Sequence, residues 1–290
     1  MLRANVELRM LGTGALLCLA GAQVSALSAQ QSDGVQCEHW NTPSLPSGFV
    51  ARCLAAGADP NARDATDGYT PLHWANSADD VAALVAEGTN LNARDFLGHT
   101  PLHMAVYTPL FARSVDAVVA LLAAGADPTA RNNNGETPLH RADSADDVAP
   151  LLAAGAMLNA RDNVGETPLH EATEDRIRNA DVAAALLAAG ADPNARDNYG
   201  HTPLHSLAFY AASGFNFSLN SQTAGVDEIE EEFMARDVEV ARVLLAAGAD
   251  PNARDANGAT PLDRMGSAFE ELGVGPRPPL YWLLNDVTAR

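Results

Sequence analysis

Residues 190–205 read GADPNARDNYGHTPLH, and this stretch decides the fold. Thr before Pro is pushed into an extended conformation and can cap a helix. Pro suits the first helical position, where its missing N–H costs nothing. TPLH is therefore a switch from loop into helix. It begins at Thr70, Thr100, Thr137, Thr167 and Thr202, and a TPLD variant begins at Thr260. A Gly stands two residues before each, at Gly68, Gly98, Gly135, Gly165, Gly200 and Gly258. Upstream, the segment GADPNARD is fullest at Gly57, Gly190 and Gly248 and looser at Gly88, Gly125 and Gly155. Asp-Pro-Asn is a turn sequence, and the Asp-x-x-Gly after it supplies a hairpin tip. Before each turn, apolar residues recur at helical spacing, as in Val118, Leu121 and Leu122 or Val240, Val243 and Leu244, and the run ends in a Gly suited to a left-handed cap. One unit is thus hairpin, helix, turn, helix.

On these motifs the chain, from Trp40 to Glu271, resembles the ankyrin-repeat family, whose signature is T-P-L-H-x-A at a period near 33 residues. The resemblance implies a mainly α fold, a solenoid of helix-turn-helix units with β-hairpin fingers and about six to seven repeats. It also implies that the TPLH histidines bond the preceding Thr hydroxyl and neighbouring backbone, and that partners bind a concave face made of hairpin tips and first helices. Successive motifs lie 30, 37, 30, 35 and 58 residues apart, which places the departures from period between the two helices of a unit. The short units at Thr70 and Thr137 share SADDVA, the mark of a duplicated two-repeat block. The 58-residue interval holds an insertion at about 211–234, with Phe215, Phe217 and the acids Asp227, Glu228, Glu230, Glu231 and Glu232. It reads either as a partner-touching loop or as a helix continuing into the next repeat through Ile229, Phe233 and Val240.

The expected organisation is a signal peptide at 1–29, an N-terminal cap or partial repeat at 30–56, the stack at 57–272 and a C-terminal cap at 273–290. Arg3 and Arg9 precede a Gly/Ala/Leu-rich stretch from Met10 to Ala22 and small residues around Ser25 and Ala26, a pattern of export with cleavage after Ala26 or Ser28. Removing it takes Cys18 away and leaves Cys37 and Cys53, an even count that suggests a disulfide closing the start of the array. A periplasmic or secreted protein is expected. Cys18 follows Ala15, Leu16 and Leu17, unlike a lipobox, so no lipid anchor is expected.

Composition removes whole classes of function. The 18 cationic residues are all Arg, so Schiff-base, Walker-type and Ser-x-x-Lys chemistry is absent. A net charge of −19 opposes docking on nucleic acid or anionic lipid. Hydrophobic residues make up 47% of the chain but aromatics only 6%, so the core must be built from Ala, Leu and Val. His73, His103, His140, His170 and His205 recur one repeat apart, about 10 Å given helix diameters, too far to share a metal ion. His170 and Glu171 open an H-E-x-x-H that Glu174 fails to complete. Neither catalysis, nor a cofactor, nor a metal is expected.

Comparing the repeats with one another locates the variable positions. Phe96, Leu97 and Tyr199 are apolar in exposed turns and are the leading partner contacts, with Tyr69, His99 and His201 on the fingers, Trp74, Met104 and Tyr107 on the first helices, and Phe215 and Phe217 on the insertion. Arg63, Arg94, Arg131, Arg161, Arg196 and Arg254 form a nearly constant column, read as Arg-Asp ladders between turns. The reading is a monomeric, non-catalytic scaffold for a protein partner. Its rival is a small-ligand or cation-binding protein that uses the insertion.

Overall fold

The computed structural model describes residues 48–107, 115–174, 179–220, 227–272 and 278–289, and the side chains of 213–233 and 267–272 are not among those described. The expected signal peptide, most of the N-terminal cap and Cys37 therefore lie outside the described residues. Two rows of helices run along the stack. The outer row is α1 (Phe49–Ala55), α2 (Ala78–Ala86), α4 (Val115–Ala124), α5 (Ala145–Ala153), α7 (Ala180–Ala188), α9 (Asp227–Ala246) and α11 (Pro279–Thr288). The inner row holds a 3-10 turn at Pro71–His73, α3 (Pro101–Ala105), a 3-10 turn at Pro138–Arg141, α6 (Pro168–Glu171), α8 (Pro203–Asn220) and α10 (Pro261–Leu272). Each element touches its predecessor and successor in its own row and the partner helix of its own repeat, the one-dimensional packing of a solenoid.

The core is as aliphatic as the composition requires. The Leu of each TPLH (Leu72, Leu102, Leu139, Leu169, Leu204) meets a Leu of an outer helix (Leu84, Leu121, Leu151, Leu186, Leu244), and all of them are buried almost completely. Each contributes about 1.5–3 kcal/mol on burial. Alanines such as Ala142, Ala172, Ala183, Ala208 and Ala241 fill the space between, where a larger side chain would force the rows apart. Ser77, Ser144 and Asn179 start α2, α5 and α7 by accepting backbone N–H groups of the first turn. In the long repeats the extra residues fall between inner and outer helix, as the spacing indicated.

The insertion is helical over most of its length. α8 runs for 18 residues and α9 for 20, and the two pack on each other, so the insertion lengthens both helices of the fifth repeat together. Residues 221–226, which join them, lie outside the described residues. α11 packs on α9 and α10, with Leu280 and Leu284 both buried.

The fingers differ from regular β-hairpins: among the described residues no strand forms. Backbone bonds close each finger base, as from Asp95 N–H to His99 O, a tighter one crosses the turn in most fingers, as from Gly98 N–H to Asp95 O, and one joins a finger to the next, as from Asn133 N–H to Leu97 O. Six-residue fingers are too short for a ladder. A side chain substitutes for the missing rungs: the carboxylate of Asp64 accepts from four backbone N–H groups between Thr66 and Tyr69. Asp95, Asn132, Asp162, Asp197 and Asp255 hold the same place in the other fingers.

Candidate functional site

Three sets of bonds hold the fingers at a fixed spacing, and all come from the repeat motif. In TPLH the His Nδ1 sits 2.9 Å from the Thr hydroxyl and accepts the Thr backbone N–H, while Nε2 reaches a carbonyl of the following finger at 3.1–3.2 Å. A carbonyl can only accept, so the proton belongs on Nε2 and the ring is neutral. Burial, the largest cause, pushes the pKa of His103, His140 and His170 down to about 4, and lowers those of His73 and His205. In the sixth repeat, after which no further finger occurs among the described residues, Asp263 stands in the place of His and closes the same box with Thr260.

The arginine column corrects the expectation of Arg-Asp ladders. Arg63, Arg94, Arg131, Arg161 and Arg196 each donate a guanidinium N–H to the backbone carbonyl of the next arginine in the column. The adjacent aspartates are occupied in their own fingers, which leaves the neighbouring carbonyl as the acceptor within reach. Finger glycines permit this approach: Gly165 has φ +88°, and a Cβ there would lie 2.5 Å from Asn198 Oδ1 and from the Arg161 guanidinium.

On this scaffold the residues expected to meet a partner separate into groups. Phe96, Leu97 and Tyr199 project from the tips and are 59%, 61% and 59% exposed. Val164, a variable tip residue in the repeat comparison though not chosen as a contact, and Phe209, which the comparison did not reach, are exposed as well. His99 is buried, its Nδ1 2.9 Å from Asp95 Oδ2, and it supports its finger. His201 is half-buried, makes the same bond to Asp197 and stacks on Tyr199 with centroids 5.7 Å apart. Tyr69 and Trp74 are half-buried against each other in an edge contact at 4.9 Å, and Met104 is half-buried. Tyr107 carries the Arg141 guanidinium 4.3 Å over its ring. The side chains of Phe215 and Phe217 are outside the described residues.

The concave side also holds a groove of about 220 Å³ between the fourth and fifth fingers and α8, lined by Val164, Glu166, Tyr199, His201, Phe209 and Tyr210 among others. At one end, carboxylate oxygens of Asp162, Glu166 and Glu171 lie within 4.8 Å of one another. Glu174 bonds to Glu166 and Tyr210 in the same cluster. Burial, then the charges of Glu171 and Glu166, push Glu174 up to about 8, so its protonated carboxyl donates to Glu166 near neutral pH. Burial likewise raises Asp162, Glu166 and Tyr210. Sequence reasoning took His170-Glu171 only as a failed zinc motif. The available signal was the pairing of two acids in one repeat: the column of Glu166 holds Tyr69, His99, Glu136 and His201 elsewhere, and that of Glu171 holds Trp74, Met104, Arg141 and Ser206, so the third repeat sets Arg141 against its Glu136 where the fourth sets a second acid.

The stacked helix pairs, the histidine bridges and the fingers define an ankyrin-repeat protein. The chain matches the family description "Ankyrin repeats (3 copies)" over residues 46–132 and 110–197 and "Ankyrin repeat" over 199–256, and it belongs to this family. Repeats of this class in general mediate protein–protein interaction. A segment of 61 residues is 44% identical to part of the E3 ubiquitin-protein ligase KEG of Arabidopsis thaliana. That match covers 20% of this chain and 4% of the plant protein, so it compares repeats alone. Among the described residues no helix is long and apolar enough to cross a membrane.

Proposed function

We propose that the protein is a non-catalytic scaffold acting outside the cytoplasm, which binds a protein partner across its finger tips and concave face. The observation that carries the reading is the exposure of Phe96, Leu97 and Tyr199 on fingers held rigid by the arginine and histidine bridges. Apolar side chains kept in water by a stiff support contribute to an interface at little ordering cost. The rival reading as a small-ligand protein is weaker: a groove of about 220 Å³ is smaller than the roughly 300–1,000 Å³ of small-molecule pockets.

Replacing Phe96, Leu97 and Tyr199 together by Ala is expected to weaken the captured partner's binding at least tenfold, about 1.4 kcal/mol. Melting should stay close to that of the parent, because none of the three is part of the core. The measurement is affinity capture from the native compartment with crosslinking mass spectrometry. Crosslinks confined to the outer helices, or unchanged binding, would overturn the finger assignment.

Export is proposed from the N-terminal pattern, and with it a bridge between Cys37 and the fully buried Cys53. Such a bridge closes a short loop at an end of the stack and contributes on the order of 3 kcal/mol. Intact-mass analysis after alkylation of the exported protein is expected to find no alkylated thiol; two modified cysteines would refute the pairing.

A further inference from the structure

The groove between the fourth and fifth fingers has two unlike ends. At one, the carboxylates already have partners: Asp197 lies 2.9 Å from His201 Nδ1, and Asp255 accepts from Arg264 at 2.7 Å. At the other, Glu166 is in contact with Glu174, Glu171 and Asp162, four acids brought together from a finger and the end of an inner helix, with the Tyr210 hydroxyl donating to Glu174. Between these ends the wall mixes polar side chains such as His205 and Ser206 with an apolar strip open to solvent, where Tyr199 is 59%, Phe209 46% and Val164 40% exposed.

Room, wall and charge together select one kind of occupant. The space suits a single long side chain. The apolar strip suits an alkyl stem, and the acidic end suits a cationic head, which is how Arg and Lys divide themselves between apolar surface and polar surroundings. Tyr199 adds an aromatic face on which a guanidinium can lie. The acids also gain from a cation: packed together, they keep the Glu174 carboxyl protonated near neutral pH, and a positive charge would relieve the repulsion that holds the proton there.

Resting on the scaffold reading above, we propose that this groove recognises an Arg or Lys of the partner protein, presented next to an apolar residue on an extended segment. The stem lies along Val164, Tyr199 and Phe209, and the charge meets Glu166 and Glu174. The apolar neighbour packs on the exposed edge of Tyr199.

Selection of a phage-displayed random dodecapeptide library against the whole chain tests this. The enriched peptides are expected to share a basic residue beside an aromatic or aliphatic one. They should bind at least tenfold more weakly to the double variant Glu166→Gln, Glu174→Gln. That variant removes charge repulsion from a crowded site, so its melting temperature should equal or exceed the parent's, which separates lost recognition from lost fold. Enriched peptides without a basic residue, equal binding to the double variant, or no enrichment at all would each overturn the inference. Peptides that lose binding with Phe96→Ala but not with the double variant would overturn it too, while leaving the finger-tip scaffold standing.

Discussion

Replacing His170 by Ala is expected to lower the stability of the stack by about 3–5 kcal/mol, far more than a typical single substitution. The ring is wholly buried and joins three groups: it accepts the Thr167 backbone N–H, meets the Thr167 hydroxyl, and through Nε2 meets the carbonyl of His201 31 residues away. Truncation leaves these groups without the ring, each at a cost of about 1–3 kcal/mol where water does not replace it, and opens a cavity beside Leu169 and Ala172. Because one of the bonds crosses from the fourth repeat to the fifth, the loss falls partly on the interface between repeats. In a stack held by nearest neighbours this is expected to broaden the urea transition as well as shift it. Equilibrium urea unfolding followed by circular dichroism checks both effects, and a loss below about 1 kcal/mol would show that water replaces the ring.

Stability is also expected to peak near pH 7 and to fall on both sides. On the acid side the histidines govern. His103, His140 and His170 have folded pKa values of about 4 against an ordinary 6.5, so as the pH falls below 6.5 the unfolded chain takes up protons that the native rings refuse. By pH 5 each costs about 2 kcal/mol. Glu174 works in the opposite direction: its folded pKa of about 8 lies above its ordinary 4.5, so the native state holds the extra proton and gains as the pH falls through that window. Three groups against one leave a net loss of about 3 kcal/mol between pH 6.5 and pH 5. His73 and His205, shifted in the same direction, add to it, and the lowered carboxyls of Asp64, Asp255 and Asp263 join below their ordinary value of 3.8. Above pH 7 the Glu174 effect outweighs what the histidines still add, and stability falls by about 0.5 kcal/mol toward pH 8. Urea midpoints at pH 5, 7 and 8 measure the profile, and Glu174→Gln should abolish the alkaline fall and steepen the acid limb, where the Glu174 offset is lost. A stability that rises steadily from pH 5 to pH 8 would refute the assignment of the raised carboxyl.

Much of the repeat was legible because its chemistry is local. Thr-Pro, the left-handed Gly and the Asp that gathers finger N–H groups all act within a few residues of themselves, and six copies of one motif carry the same instruction. The aliphatic core followed from composition, and the helical face through Ile229, Phe233 and Val240 was one of two readings offered for the insertion, which folds as extensions of α8 and α9. The regular β-hairpins were over-read: a finger of six residues has room for a base bond and a turn bond but no ladder, and side-chain acceptors take the place of the rest.

What the sequence by itself determined is the unit and its direction of stacking, since turn, cap and helix are each chosen by side chains that meet along the chain. Tertiary structure decided everything that passes between units. The arginine column was visible in the sequence, but its acceptor is a carbonyl of the next repeat, and no property of Arg-Asp as a dipeptide distinguishes that carbonyl from a carboxylate. His99 and Tyr199 look alike as variable finger residues, yet one turns in onto Asp95 and the other out into water. Glu166, Glu171, Glu174 and Tyr210 are spread over 45 residues and become one acidic cluster only when the stack sets the fourth finger, the end of α6 and α8 side by side. Spacing across the repeats, fixed by packed leucines and shared hydrogen bonds, gives these groups their neighbours and hence their charge.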